Sequence, residues 1–287
     1  MPELPEVETI ARGLKNKVVG KKIVAVKIID PKIWQADESK IINKEIINIC
    51  RRAKTLAIDF DNHYSILFHL KMTGQLIYRN NKMGVDQQVA GGHPSNDFFV
   101  KLPNLHTRVI FSFADRSKLY FNDLRRFGWV RGYKSSDLEI LWSNEYGPEP
   151  FSDQFTAEHL YRIIAKKPKS NIKKIITDQE LIAGIGNIYS DESLYRAGIL
   201  PTRLGKDIKK SEVEKLYRSI IDVLNLGLKY GGASDSDYVD AEGKRGKMQE
   251  HFEVYMQQGN VCRNCGKKIK KIRLNGRGTH FCQNCQK

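Results

Sequence analysis

Chemistry is concentrated at the two ends of the chain. The first residues read Met1-Pro2-Glu3-Leu4-Pro5-Glu6-Val7-Glu8-Thr9-Ile10. A small residue after the initiator favours removal of Met1, which leaves Pro2 with a free secondary amine whose pKa lies near the ~8 of an α-amino group, well below lysine. Such an amine can attack an electrophilic sugar carbon and form an iminium ion, and Glu3 beside it offers a carboxyl group to donate or accept the protons involved. The same residues also make a good helix start, with Leu4, Val7, Ile10, Ala11 and Leu14 at helical spacing and early acids complementing the dipole. At the far end, Cys262-x-x-Cys265 and Cys282-x-x-Cys285, separated by 16 residues, have the spacing of a zinc ribbon that holds one structural Zn2+ with no open coordination position. The fifth cysteine, Cys50, lies in an apolar stretch and is expected to be a buried small hydrophobe.

Between the ends, cations sit on turns. Arg51-Arg52-Ala53-Lys54 reads as a basic turn joining two strands. Asn122-Asp123-Leu124-Arg125-Arg126-Phe127-Gly128 places arginines and a phenylalanine on a loop, where they can neutralise phosphate, hydrogen-bond an orphaned base and stack into a duplex. In Gly184-Ile185-Gly186-Asn187 the glycines permit a tight turn and Asn187 can cap the next helix; the same geometry aims backbone amides and the Asn187 side chain at an anion. Residues 268–281 read as a β-hairpin turning at Asn275-Gly276, and from Gly259 onward there are eight Lys or Arg and no acid.

The elements that must position these groups follow from the hydrophobic pattern. A chain of 287 residues, 40% hydrophobic, is long enough for two domains and a small module. After the N-terminal helix, short strands are expected at 22–29, 45–50, 55–60, 65–70, 75–78, 107–113, 117–121 and 129–133, which together suggest an antiparallel sandwich. Residues 80–105 read as a long surface loop with a short strand near Phe98-Phe99-Val100. Helices are expected near 156–165, 172–178, 188–197 and 211–228, the last strongly amphipathic. The stretch 231–247, with Asp235, Asp237, Asp240 and Glu242, reads as a mobile loop. The expected division is an N-terminal domain at 1–135, a linker at 136–150, a helical domain at 151–232, a loop and connection at 233–258, and the ribbon at 259–287. Lys and Arg outnumber Asp and Glu by 48 to 33, a net +15, so the expected partner is a polyanion. With no signal peptide and no long apolar run, the expectation is a cytoplasmic monomer without membrane contact.

Taken together, the N-terminal decapeptide, the Arg-Arg-Ala-Lys turn, His69-Leu70-Lys71-Met72-Thr73-Gly74, the Arg-Arg-Phe-Gly loop, the Gly-x-Gly-Asn turn and the cysteine ribbon resemble, in order, the motifs of the formamidopyrimidine-DNA glycosylases. The resemblance implies an α+β architecture: an N-terminal antiparallel β-sandwich with its helix, a helical domain with a helix-two-turns-helix motif, and a zinc ribbon. It implies a bacterial DNA repair enzyme that removes oxidised purines from double-stranded DNA and then cuts the abasic site by β,δ-elimination. Pro2 would be the Schiff-base nucleophile, Glu3 its acid/base partner, Lys54 a proton donor in β-elimination and Arg277 an aid to δ-elimination. Met72, Arg125 and Phe127 would fill the space left by an extruded nucleotide, while His106, Lys167 and Asn187 contact DNA and 233–247 closes over the everted base. Two departures stand out: Leu124 replaces the family's proline, and the 80–105 stretch is longer than usual. Two other readings compete. The related endonuclease VIII enzymes act on oxidised pyrimidines but typically begin Pro-Glu-Gly-Pro-Glu, and a non-catalytic protein could bind DNA through the helix turn and ribbon alone.

Overall fold

The computed structural model describes residues 1–80, 89–92, 102–234 and 245–287, with 89–92 described by backbone only. The chain forms two compact units, Met1–Asn144 with Leu228–Gln249 and Glu145–Gly227 with Glu250–Lys287.

The first unit begins with α1 (Leu4–Val18), whose buried face is Leu4, Val7, Ile10, Ala11, Leu14 and Val18. Pro5 suits the first turn, where no amide partner is needed, and Glu6 Oε2 accepts from the Glu3 amide at 2.9 Å. Behind α1 come β1 (Ile23–Ile28), β2 (Trp34–Gln35), β3 (Ile46–Arg52), β4 (Thr55–Phe60), β5 (Tyr64–His69), β6 (Gly74–Arg79), β7 (Val89–Gly92), β8 (Thr107–Phe113), β9 (Lys118–Asp123) and β10 (Trp129–Lys134). They make two five-stranded sheets, ordered β1-β8-β9-β6-β7 and β2-β10-β5-β4-β3. Pairing is antiparallel except for the short parallel match of β2 with β10. Alternating residues of the two sheets meet in one apolar core, where Phe68 of one sheet packs edge-on against Phe111 and Phe121 of the other at centroid distances of 6.0 and 5.7 Å. The helix is tied to this body by Arg51 Nε on Glu8 Oε2 and Lys15 Nζ on Asn48 Oδ1, both at 2.8 Å.

Two elements go beyond those expected. The stretch taken as a linker carries α2 (Ser135–Glu145), which buries only Leu138 and Trp142. Within the stretch taken as a loop, β7 pairs with β6. The expected strand at Phe98-Phe99-Val100 and the acidic stretch 235–244 lie outside the described residues.

The second unit contains α3 (Ala157–Ala165), α4 (Ile172–Thr177), α5 (Asn187–Ala197), all but the last two residues of α6 (Lys210–Lys229), and the hairpin β11 (Lys270–Leu274) with β12 (Arg277–Phe281). Thr156 caps α3 by accepting from the His159 amide at 3.0 Å. Along α6, Val213, Leu216, Ile220, Val223 and Leu224 are buried, and Gly227 admits the Tyr189 ring, whose hydroxyl would lie 2.5 Å from any added Cβ. The hairpin turns at Asn275 and Gly276, both left-handed at φ 51° and 77°, as a two-residue turn requires.

Candidate active site and nucleic-acid interface

In the first unit, Pro2 and Glu3 are buried at the mouth of α1. Glu6 holds this end from beneath: Oε2 takes the Glu3 amide, and Oε1 takes the Ala233 amide at 2.8 Å. That second bond fastens the chain start to the root of the 235–244 stretch, whose two sides are joined by Ser234 Oγ accepting from the Gly246 amide at 2.8 Å. Glu6 was not singled out from the sequence, where it read only as a helix-start acid.

Lys54 lies in the β3–β4 turn, where Ala53 adopts φ 53° and Arg51 donates to the Ala53 carbonyl at 3.1 Å. It is 7% exposed, so this is no solvated basic turn. His69 is close enough to feel the charge of Lys54. Burial first, and then Lys71, Lys54 and Arg131, push its imidazole down to about 3. It is therefore neutral, and its Nδ1 accepts from the Lys71 amide at 3.0 Å, which shapes the turn that presents Met72.

Met72 is 40% and Phe127 54% exposed, unusual values for such side chains on two neighbouring turns. The turns are fastened to each other, since Thr73 Oγ1 donates to Asp123 and accepts from the Arg125 amide at 2.9 Å. The Arg125 guanidinium lies over the Phe127 ring, 4.8 Å from its centroid. His106 belongs to the same corner, because its carbonyl accepts from the Asp123 amide at 2.9 Å. The turns that carry Met72, His106, Arg125 and Phe127 are thus all bonded to one buried acid, Asp123. Cys50 is half-buried rather than buried, its thiol facing Asp59 at 3.8 Å; burial and that carboxylate push it up to about 12, so it is unreactive.

In the second unit, Asn187 is the first residue of α5 and Gly186 takes the cap position, which corrects the expectation that Asn187 caps the helix. Its side chain is engaged elsewhere. Oδ1 accepts from Lys173 Nζ at 2.7 Å and Nδ2 donates to the Gly278 carbonyl at 3.0 Å. Lys173, 3% exposed, also donates to Asp191 Oδ1 at 2.6 Å and Thr279 Oγ1 at 2.8 Å. Asp191 Oδ2 in turn accepts from the His280 amide at 2.8 Å. At the hairpin tip Asn275 meets Asn171, the cap of α4, at 3.1 Å. Arg277 is exposed at the start of β12, where it pairs with Leu274 of β11. Lys167 is exposed on the turn after α3. Lys173 and Asp191 escaped the sequence reading, though a lysine beside Ile172, Ile175 and Ile176 on a short amphipathic helix was a signal that it faced inward.

The sulfurs of Cys262, Cys265, Cys282 and Cys285 all lie within 4.8 Å of one another, with contacts of 3.8 Å for Cys262–Cys285 and 3.4 Å for Cys265–Cys282. Tetrahedral Zn–S bonds of about 2.3 Å require S···S separations of roughly 3.8 Å, whereas a disulfide needs about 2 Å, so the donor set fits zinc. Burial works against ionisation of Cys262, yet the Tyr195 hydroxyl at 3.2 Å and the amides of Cys265 and Asn264 bring its thiol down to about 6. Just before the ribbon, the buried side chain of Glu192 on α5 accepts from the Val254 and Tyr255 amides at 3.0 and 2.8 Å.

Three family models match the chain: the formamidopyrimidine-DNA glycosylase N-terminal domain at residues 1–130, the H2TH domain of the same proteins at 146–238, and the zinc finger found in FPG and IleRS at 259–287. Among curated relatives, the formamidopyrimidine-DNA glycosylase of Carboxydothermus hydrogenoformans is 39% identical over 100% of both chains. That of Rickettsia africae is 37% identical over 100% of this chain and 99% of its own. Among solved structures, Lactococcus lactis Fpg bound to DNA containing an abasic site superposes with a TM-score of 0.85 at 31% identity, covering 99% of each chain. The wild-type enzyme with N7-benzyl-Fapy-dG DNA gives 0.85 at 32% identity over the same share.

Proposed function

The chain belongs to the formamidopyrimidine-DNA glycosylase family, a family of DNA glycosylases with AP lyase activity, and from that premise we propose that it excises oxidised purines, 8-oxoguanine and formamidopyrimidines, from double-stranded DNA. Its expected setting is the bacterial cytoplasm; among the described residues no helix is long and apolar enough to cross a membrane.

The duplex is bent and the lesion turned out of the stack, at a cost of a few kcal/mol that phosphate contacts offset. Met72, Arg125 and Phe127 enter the vacated space, while His106, Lys167 and Asn187 lie along the phosphates. The Pro2 nitrogen lone pair forms a bond to C1′, the base departs with the electrons of the glycosidic bond, and the proton that the nitrogen then sheds passes to the departing base. Breaking C1′–O4′ gives the iminium, with Glu3 protonating O4′. The iminium acidifies C2′, loss of that proton expels the 3′ phosphate, and a second elimination expels the 5′ phosphate. Lys54 acts as proton donor in the first elimination and Arg277 assists the second. Zinc stays outside this chemistry; the four cysteines hold it, and it fixes the hairpin that carries Arg277.

The observation that carries this reading is the burial of Glu3 and Lys54, 3% and 7% exposed, in the unit that begins with Pro2. Charged groups are taken out of water when they have work to do on a partner or on each other. The test of substrate is release of 8-oxoguanine against thymine glycol from otherwise identical duplexes. Preference for 8-oxoguanine with both eliminations on a gel supports the proposal; preference for thymine glycol contradicts it.

A further inference from the structure

Asp123 ends β9 with its side chain fully buried, and among the described residues its carboxylate bonds to the two turns that carry the exposed Met72 and Phe127. Oδ1 accepts from Thr73 Oγ1, on the Met72 turn, and from the Arg125 amide at 3.2 Å. Oδ2 accepts from the Gly128 amide at 2.7 Å, directly after Phe127. Its backbone works in the same direction: the carbonyl takes Arg108 Nε at 2.9 Å, and the amide binds the His106 carbonyl. Both turns need such support, because each contains a non-glycine residue in the left-handed region, Lys71 at φ 50° and Arg126 at φ 58°. Space enforces the arrangement as well. A Cβ on Gly128 would lie 3.0 Å from Asp123 Oδ2 and 3.1 Å from the His69 carbonyl.

We propose that Asp123 is a positioning residue for base extrusion, its carboxylate joining the Met72 turn and the 125–127 loop into one rigid wedge. This rests on the reading that those side chains enter the vacated space. Two loose turns would each have to be ordered at the moment the base leaves the stack; joined through one acid, they enter together and that ordering is already done. Thr73 belongs to the device, since its hydroxyl is the only group that bonds to both Asp123 and the Arg125 amide among the described contacts.

The experiment compares Asp123→Asn, Thr73→Val and Thr73→Ser with Met72→Ala and Arg125→Ala. A 2-aminopurine beside the lesion reports unstacking, and cleavage of a pre-formed abasic site is measured in parallel. An amide has one acceptor oxygen where the carboxylate uses two, so Asp123→Asn is expected to slow the unstacking signal and lesion excision by about tenfold or more. Thr73→Val follows it, Thr73→Ser stays near wild type, and abasic-site cleavage falls by no more than about threefold because an abasic nucleotide costs least to extrude. Equal losses in all activities together with the melting temperature would mean that Asp123 is merely structural and would overturn the proposal. Wild-type unstacking in Asp123→Asn and Thr73→Val, with Met72→Ala and Arg125→Ala impaired, would also overturn it. If Met72→Ala and Arg125→Ala unstack normally, the reading beneath it fails instead.

Discussion

The two units hold their exposed, chemistry-bearing turns by different means. In the first, a sandwich with a large apolar core carries the load, and Asp123 only has to fix two turns at its corner. In the second, the hairpin that presents Arg277 has little core of its own: Tyr195, Val254 and Ile269 pack on the cysteines, and the rest of the support is polar, from Lys173, Asp191 and Asn187. A small module that cannot bury enough apolar surface needs staples, and here they are a metal and a buried ion pair. The lesson is that the two units should fail separately and under different insults.

Removing the metal should have the largest effect. Structural zinc contributes on the order of 10 kcal/mol to folding of small fingers, so chelation or Cys282→Ser is expected to melt the 259–287 region and abolish tight DNA binding. The amide NMR dispersion of the sandwich should persist, and its collapse along with the ribbon would break the comparison. Next in size is Lys173→Met. It strands Asp191 without its cation and is expected to cost about 3–5 kcal/mol in denaturant unfolding of the second unit; Asp191→Leu added to it should recover part of that loss.

The first unit carries a pH dependence of its own. Folding lowers the His69 pKa from 6.5 to about 3, so the unfolded chain binds the extra proton between those values. The stabilisation is complete above 6.5 and is lost as pH falls toward 3, about 2 kcal/mol of it by pH 5. His69→Asn keeps an acceptor for the Lys71 amide and should flatten that dependence in melts at pH 7 and pH 5. Gly128→Ala is expected to be the mildest change, about 1 kcal/mol, since Phe121, Asp123 and His69 must each give way slightly.

Much of the architecture could be read in advance because its signals are local. Alternation set the strands, amphipathic spacing set α6, and paired cysteines set the ribbon. Among the elements not expected, α2 puts Leu138 and Trp142 inward while Ile140 is 61% exposed, so its apolar residues do not line one face. The candidate reacting residues were nameable from type and motif, but their supports were not. Asp123, Glu6 and Lys173 act through partners 50, 227 and 106 positions away, respectively Thr73, Ala233 and Thr279. Nothing in the spacing of a sequence announces such contacts. Asn187 illustrates the converse: a good cap residue by type, it is drawn instead to Lys173 and Gly278.

The central claim is that the imino nitrogen of Pro2 bonds to the sugar. Borohydride reduction during reaction with 8-oxoguanine duplex, followed by peptide mapping, addresses it directly. The expected result is a DNA adduct on an N-terminal peptide that begins at Pro2, and no adduct with Pro2→Gly. An adduct on Lys54, or full activity in protein that still carries Met1, would contradict it.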